Sequence, residues 1–598
     1  MPPVRKLAPR HRLLPWLRRI NEARRQLRDQ EAMLVILSTG LGAVVGLAVS
    51  GLHMLLLAAQ GLLFRLPSGG ALSGLDAIPS WPYLLVPAVG GLVLGVWALL
   101  AQRIRPAEIV DPIEANALYG GKMSLWDSLR LAWLTLLSNL SGASVGMEAG
   151  YSQLGASLFS AVAQPFRLRR EDKRCLTSAG AAAAIAAAFN APLAGAFYGF
   201  ELVHGSYAPR NIAIIGAAVI SGTLARRAVE PHGSLFELPQ VAVLPDYLLP
   251  LFIVIGLLAA LTGTATMRLV SVFERMFQKT RLPVWARPAA GGLILGGMAL
   301  TSPQILGSGH DAIQGHISQS WGLSAVALLL AGKLLASALS LGAGFRGGLF
   351  SSSLFLGCLL GALIVQLLTP LLPGMAEVRI PAMLAGMAAV GAAITGAPLT
   401  MVFLVLEITG NFAFTLGVLT SAFIAATVVR LTFGYSFSTW RFHLRGIPLL
   451  GAHDVGWVRE LTAGRMMRGD IRRVPLHQTI AHLRQEIPLG SRKYAFAVDD
   501  TGRYAGIIDM ATVHDPEISD LADVLVAADC VIGPEARVFR QDNIQAVLDQ
   551  FSRTQLEILP VLDGPGTMRV IGSLTEAYCL KRYAQELDSR RSDEIGAP

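Results

Sequence analysis

Glu148 stands between Met147 and Ala149 in the glycine-rich stretch GASVGMEAG (142–150), inside a region that is otherwise apolar for hundreds of residues. An ionisable side chain at such depth is costly, so its presence points to a use. Two more carboxylates recur in a pattern. AAAFNAPLAGAFYGFEL (186–202) and AAITGAPLTMVFLVLEI (392–408) align without gaps as Ala-Pro-Leu-x3-Phe-x3-Glu. Ala191, Pro192, Leu193, Phe197 and Glu201 match Ala397, Pro398, Leu399, Phe403 and Glu407 at one constant offset. Upstream, Gly142 and Gly146 match Gly344 and Gly348 in GFRGGLF at nearly the same offset. Two matches in the same order mark an internal repeat. Repeats of this kind in polytopic proteins commonly have inverted topology and set a binding site near the midplane from broken helices.

The chemistry follows from the breaks. A helix that restarts in mid-membrane exposes unpaired backbone N–H groups at its first turn, with the positive end of its dipole. Two such termini aimed at one point suit a small anion and need no fixed cation, so the ion can leave again. The segments expected to do this are 141–150, 186–201, 342–352 and 392–407. A carboxylate at that point mimics the anion and competes with it, and protonation removes the competition. An intramembrane enzyme would need a nucleophile set beside a base. Neither a Gly-x-Ser-x-Gly nor a His-Glu-x-x-His site is expected in the apolar runs, and the chain is not expected to be an enzyme.

The elements that carry these segments are membrane spans. Of 598 residues 53% are hydrophobic and only 15% charged, with a mean hydropathy of +0.51. The excess is local: runs such as 33–64 and 247–270 are long enough to cross a bilayer. Residues 1–31 form a basic lead with Arg5, Lys6, Arg10, Arg12, Arg18, Arg19, Arg24, Arg25 and Arg28. It lacks an apolar core, so no cleaved leader is expected, and the positive-inside rule puts it in the cytosol. The net charge of +9 therefore needs no nucleic-acid partner. Residues 32–447 form the membrane body, with repeats at about 32–228 and 245–434. Residues 448–598 turn polar and are expected to form a cytosolic domain. Cys175, Cys358, Cys530 and Cys579 show no spacing that suggests zinc or a disulfide framework.

At these motifs the chain resembles the CLC family of chloride channels and chloride/proton antiporters. FNAPLAG (189–195) and GAPLTMVFLVLEITGN (396–411) are similar to family segments, GMEAG (146–150) stands for the family's G-[RK]-E-G-P, GGLFSS (347–352) for G-x-F-x-P, and GSGHDAI (307–313) resembles a third glycine-rich loop. The resemblance implies an all-α polytopic fold, an inverted repeat of broken and re-entrant helices. It implies a homodimer in a bacterial inner membrane, both termini cytosolic, with one chloride pore per subunit. Glu148 is then the gate, and Gly146, Met147, Glu148, Ala149, Gly348, Leu349 and Phe350 bind the anion. Asn190 and Glu407 take structural roles. Several positions depart from the pattern. Met147 replaces a basic residue, Ala149 and Gly150 replace Gly-Pro, and Ser352 replaces Pro. The family's G-S-G-I-P is not recognisable near IVDPIEAN (109–116). Where the family often has an inner tyrosine, the alignment offers Ser438, with Tyr435 nearby. Leu202 stands where proton-coupled members carry a second glutamate, which favours a voltage-gated-type channel. The alternatives are a chloride/proton antiporter, with Glu201 or His204 carrying protons, or a carrier for another small anion.

The polar C-terminal zone has its own repeat. VPLHQTIAHLRQEI (474–487) resembles VFRQDNIQAVLDQF (538–551), and each is followed by an expected strand pair, 494–509 and 557–575. This resembles a small α/β pair of CBS modules. Such pairs often hold an adenine nucleotide through an Asp, but the matching positions here are Thr512 and Tyr578. Nucleotide binding is therefore disfavoured, and no other cofactor or metal is expected.

Overall fold

The computed structural model describes residues 31–445 and 461–582, apart from 67–71, 76–80, 231–247 and a few single positions between 105 and 414. The basic lead, and with it the expected siding of the N-terminus, lies outside the described residues. The chain separates into two compact units, Met1–Asp454 and Val455–Pro598.

The first unit is helical. Its first half contains α1 (Glu31–Phe64), α2 (Val86–Ile104), α3 (Pro112–Tyr119), α4 (Leu125–Leu140), α5 (Glu148–Ala163), α6 (Arg170–Phe189), α7 (Pro192–Tyr198) and α8 (Pro209–Val229). The second half contains α9 (Leu249–Lys279), α10 (Arg287–Met298), α11 (His310–Ser318), α12 (Leu323–Ala343), α13 (Phe350–Leu368), α14 (Arg379–Thr395), α15 (Pro398–Thr409), α16 (Thr415–Thr432) and α17 (Phe437–Leu444). Among the described residues seven helical segments are long and apolar enough to cross a membrane. Their outward faces carry exposed apolar side chains such as Leu62, Ile220 and Leu261, which suits a lipid surround.

The repeat visible in the sequence is a repeat of structure. Every segment expected to break does so: α4 gives way to α5 across 141–147, α12 to α13 across 344–349, α6 to α7 at Asn190–Ala191, and α14 to α15 at Gly396–Ala397. Helices α6 and α14 are buried along almost their whole length, as the all-round Ala and Gly composition of each requires. Each packs on the helix that starts at a glycine break, α6 on α5 and α14 on α13. The approach is backbone to backbone at matched places. A Cβ added to Gly180 would collide with the Gly155 carbonyl, and one added to Gly386 would collide with the Gly357 carbonyl. Close packing of small residues is a main source of helix association in lipid.

The second unit holds two similar halves. In the first, β1 (Arg473–Pro475), α19 (Ile480–Glu486, after the short α18 at Ala463–Met466), β2 (Tyr494–Val498) and β3 (Tyr504–Asp509) are followed by α20 (Met510–Val513) and β4 (Val531–Ile532). The second repeats the order as β5 (Val538–Phe539), α21 (Ile544–Thr554), β6 (Ile558–Leu562) and β7 (Val570–Thr575). β1 pairs parallel with β2, and β5 with β6, while β2–β3 and β6–β7 are antiparallel hairpins. Both hairpins shift register at the same place, Ala497/Val498 and Val561/Leu562. The expected helix and strand-pair repeat is therefore present.

Candidate anion site

The two glycine breaks meet. Gly142 (φ 79°) and Gly344 (φ 104°) turn the chain out of α4 and α12 through backbone angles that side chains disfavour. The chain then runs to a two-residue antiparallel bridge. Gly146 N–H donates to the Gly348 carbonyl at 2.9 Å, and Gly348 N–H donates to the Gly146 carbonyl at 3.1 Å. Polar side chains from the opposite half brace the loops. Ser340 Oγ accepts from Ser144 N–H at 3.0 Å, and Ser138 Oγ accepts from Arg346 N–H at 2.8 Å. Buried Lys333 donates to the carbonyls of Ile305 (3.1 Å) and Gly307 (2.7 Å), and Gly307 N–H reaches the Gly142 carbonyl at 3.1 Å.

Helices α5 and α13 therefore start on either side of one bridge. Their N-cap residues, Met147 and Leu349, provide no side-chain acceptor, so the first-turn N–H groups remain for whatever sits between them. What sits there is the carboxylate of Glu148. One oxygen, Oε1, accepts from the Ser351 hydroxyl, and the carboxylate also lies against the backbone N–H of Glu148 and of Ser351. The other, Oε2, is buried without a hydrogen-bond partner. It lies so close to Gly146 that a Cβ there would collide with it, and 3.8 Å from the Cβ position of Gly348. An acceptor-only group in this position is stabilised by both helix termini, as a halide would be.

Two cavities flank the carboxylate. One, of about 670 Å³, is lined by Ala149, Ser152, Tyr198, Leu349, Phe350 and Ser438 and by four arginines, Arg130, Arg346, Arg441 and Arg445. The other, of about 610 Å³, is lined by Met147, Tyr151, Arg226, His310 and Ser351. Among the described residues only Glu148 lines both. The four guanidinium groups make the first cavity attractive to anions, although Arg445 also pairs with Glu114 at 2.6 Å.

Gly146, Met147, Glu148, Ala149, Gly348, Leu349 and Phe350 thus come together, and Ser438 lies on the wall of the arginine cavity. Tyr435 does not; its ring stacks on His443 at 4.7 Å. Glu201 and Glu407 are exchanged between the halves. Glu407 accepts from Leu193 N–H (2.8 Å) and Ala194 N–H (2.9 Å), the first turn of α7. Glu201 accepts from Leu399 N–H (3.0 Å), Thr400 N–H (2.8 Å) and Thr400 Oγ (2.7 Å), the first turn of α15. The matched Phe197 and Phe403 stack on one another at 4.2 Å. Asn190 caps α6 in the left-handed conformation and accepts from Arg227 Nε at 2.7 Å. His204 is buried, its Nε2 3.1 Å from Glu171 Oε1 and 2.6 Å from Asn211 Nδ2.

Some participants escaped the sequence. Tyr198 and Arg346 lie inside the motif segments 186–201 and 342–352 but were not singled out there, and Arg130, Arg441 and Arg445 come to the cavity from other segments. Ser351 had a signal, a hydroxyl in the first turn after a glycine break. Residues 142–146 also fit Gly-x-Ser-x-Gly, a spacing the expectation about nucleophiles passed over. Ser144 Oγ, however, pairs with Ser337 Oγ at 2.9 Å, and no histidine base is among its hydrogen-bond partners.

Comparison with known proteins agrees with this geometry. Residues 90–430 match the family model described as voltage gated chloride channel. A putative chloride channel protein, ClcB-like, from Ralstonia nicotianae is 32% identical over 348 residues, covering 57% of this chain and 81% of that one. The voltage-gated ClC-type chloride channel ClcB of Escherichia coli is 31% identical over 407 residues, covering 66% and 95%. Among solved structures, a slow cyanobacterial Cl−/H+ antiporter matches with a TM-score of 0.60 at 21% identity, over 69% of this chain and 97% of that one. A eukaryotic CLC transporter matches with 0.55 at 20% identity, over 91% and 97%. These two establish the fold. The family consists of channels and transporters rather than enzymes. With its broken helices meeting at Gly146 and Gly348 and with the family match spanning both repeats, this chain belongs to the voltage-gated chloride channel family, the CLC family.

Proposed function

We propose that this protein conducts chloride across a bacterial inner membrane through one pore per subunit, and that Glu148 is the gate. The observation that carries this reading is that, among the described residues, Glu148 alone lines both cavities while its carboxylate occupies the point faced by α5 and α13. Protonation removes the charge that competes with the anion, and the side chain swings aside. The amides of the first turns then hold chloride. The relatives named as chloride channels support this choice of ion. Passive conduction is the reading favoured over proton exchange. Both oxygens of Glu201 are committed to the first turn of α15, and the next residue is Leu202. Both termini are cytosolic, and the protein works as a homodimer in lipid. The C-terminal unit is a CBS pair that supports the dimer.

The test is reconstitution in liposomes with a chloride gradient. Reversal at the chloride Nernst potential, independent of the proton gradient, is expected. Glu148→Ala is expected to raise flux at neutral pH severalfold and to flatten its pH dependence. Unchanged flux and pH response in that variant remove Glu148 from the mechanism. A reversal potential that moves with the proton gradient replaces conduction by exchange.

A further inference from the structure

Ser351 stands in the first turn of α13, in the half of the molecule opposite Glu148. Its hydroxyl donates to Glu148 Oε1 and its side chain lines the histidine cavity, not the arginine cavity. The carboxylate is thus held at one oxygen and unpartnered at the other. We propose that Ser351 is a latch and a ligand: its hydroxyl holds the Glu148 carboxylate in the blocking position, and passes to the transported anion when the carboxylate leaves. This rests on Glu148 being the gate and adds a positioning residue to it.

The physical basis is simple. A hydroxyl donor favours the charged form of the carboxylate it binds and resists the loss of that charge. Once the carboxylate has gone, a buried hydroxyl needs another acceptor, since leaving it unmade is costly. The anion between the two helix termini is that acceptor. Other charged and titratable groups face the same point: Tyr151 on α5, Tyr198 on α7, and across the histidine cavity His53, Arg226, His310 and Asp311. From the other side come Asp111 and the four arginines. Their combined field is common to wild type and to a Ser351 variant, so comparison of the two isolates the hydroxyl.

The experiment is chloride efflux from liposomes carrying the full-length protein, measured against pH and against chloride concentration. Ser351→Ala is expected to move the midpoint of acid activation to higher pH by about one unit, the scale of a hydrogen bond to a charged group. Ser351→Thr, which keeps the hydroxyl, is expected to restore the wild-type midpoint. In a Glu148→Ala background, Ser351→Ala is expected to leave pH dependence unchanged and to weaken apparent chloride affinity severalfold. If Ser351→Ala does not assemble, Ser351→Cys carries the same expectation with a weaker donor. A wild-type midpoint and affinity in the Ser351 variants, with Glu148→Ala still open, overturns the latch and leaves the gate standing. An inert Glu148→Ala overturns the gate itself.

Discussion

Each of the two glutamates that end the Ala-Pro-Leu motifs caps a helix in the other half of the molecule, so neither half can finish its own re-entrant segment. Pro192 and Pro398 begin those segments without an N–H, and the next two N–H groups in each go to the exchanged carboxylate. A carboxylate on a helix N-terminus is favoured both by hydrogen bonds and by the dipole. Glu201 also accepts from the Thr400 hydroxyl, so its loss removes more than the loss of Glu407. Glu201→Ala is therefore expected to destabilise by roughly 3 kcal/mol and Glu407→Ala by roughly 2 kcal/mol, from charge-assisted bonds at about 1.5–3 kcal/mol each with partial relaxation. Thermal unfolding in detergent checks the order; equal melting temperatures for Glu201→Ala and wild type contradict it.

At the scale of elements, the candidate anion site depends on two helix starts, those of α5 and α13, being held still. Helices α5 and α13 are aimed by packing on α6 and α14, and that packing is backbone contact at Gly155–Gly180 and Gly357–Gly386. No side chain can relax to admit a branched residue there. Gly180→Val and Gly386→Val are expected to prevent assembly, whereas Gly216→Ala on α8, where the Cβ meets nothing within 4 Å, is expected to behave as wild type. Size-exclusion profiles of the purified variants read the difference. A monodisperse Gly386→Val protein with normal flux shows that the close approach does not aim α13.

At the scale of the whole molecule, pore and C-terminal unit use the same device of duplication in different ways. In the helical unit, the repeats meet at one point, the Gly146–Gly348 bridge. In the C-terminal unit, the two halves meet through main-chain contacts, Arg468 with Ser573 and Tyr504 N–H with the Met568 carbonyl. The positions where a nucleotide-binding pair would offer an Asp hold Thr512 and Tyr578, and Tyr578 lies under the Arg468 guanidinium at 5.4 Å. Adenine nucleotide titrated onto the full-length protein is expected to give no heat in calorimetry and no change in flux. Saturable binding at micromolar concentration contradicts this.

Much of this protein is legible from sequence because its information is local and repeated. Span-length apolar runs, glycine breaks and two copies of Ala-Pro-Leu-x3-Phe-x3-Glu need no tertiary knowledge, and they locate Glu148 and the segments on both sides of it. The tertiary structure decided everything that depends on which segment faces which. Only it shows that Gly146 bridges Gly348, that Glu201 and Glu407 are exchanged rather than used within their own halves, that the Ser351 hydroxyl meets the Glu148 carboxylate, and that Tyr198 and four arginines share a cavity. The reason is physical: a helix break advertises its free N–H groups in its own residues, whereas the partner of a free N–H is set by packing between segments hundreds of residues apart.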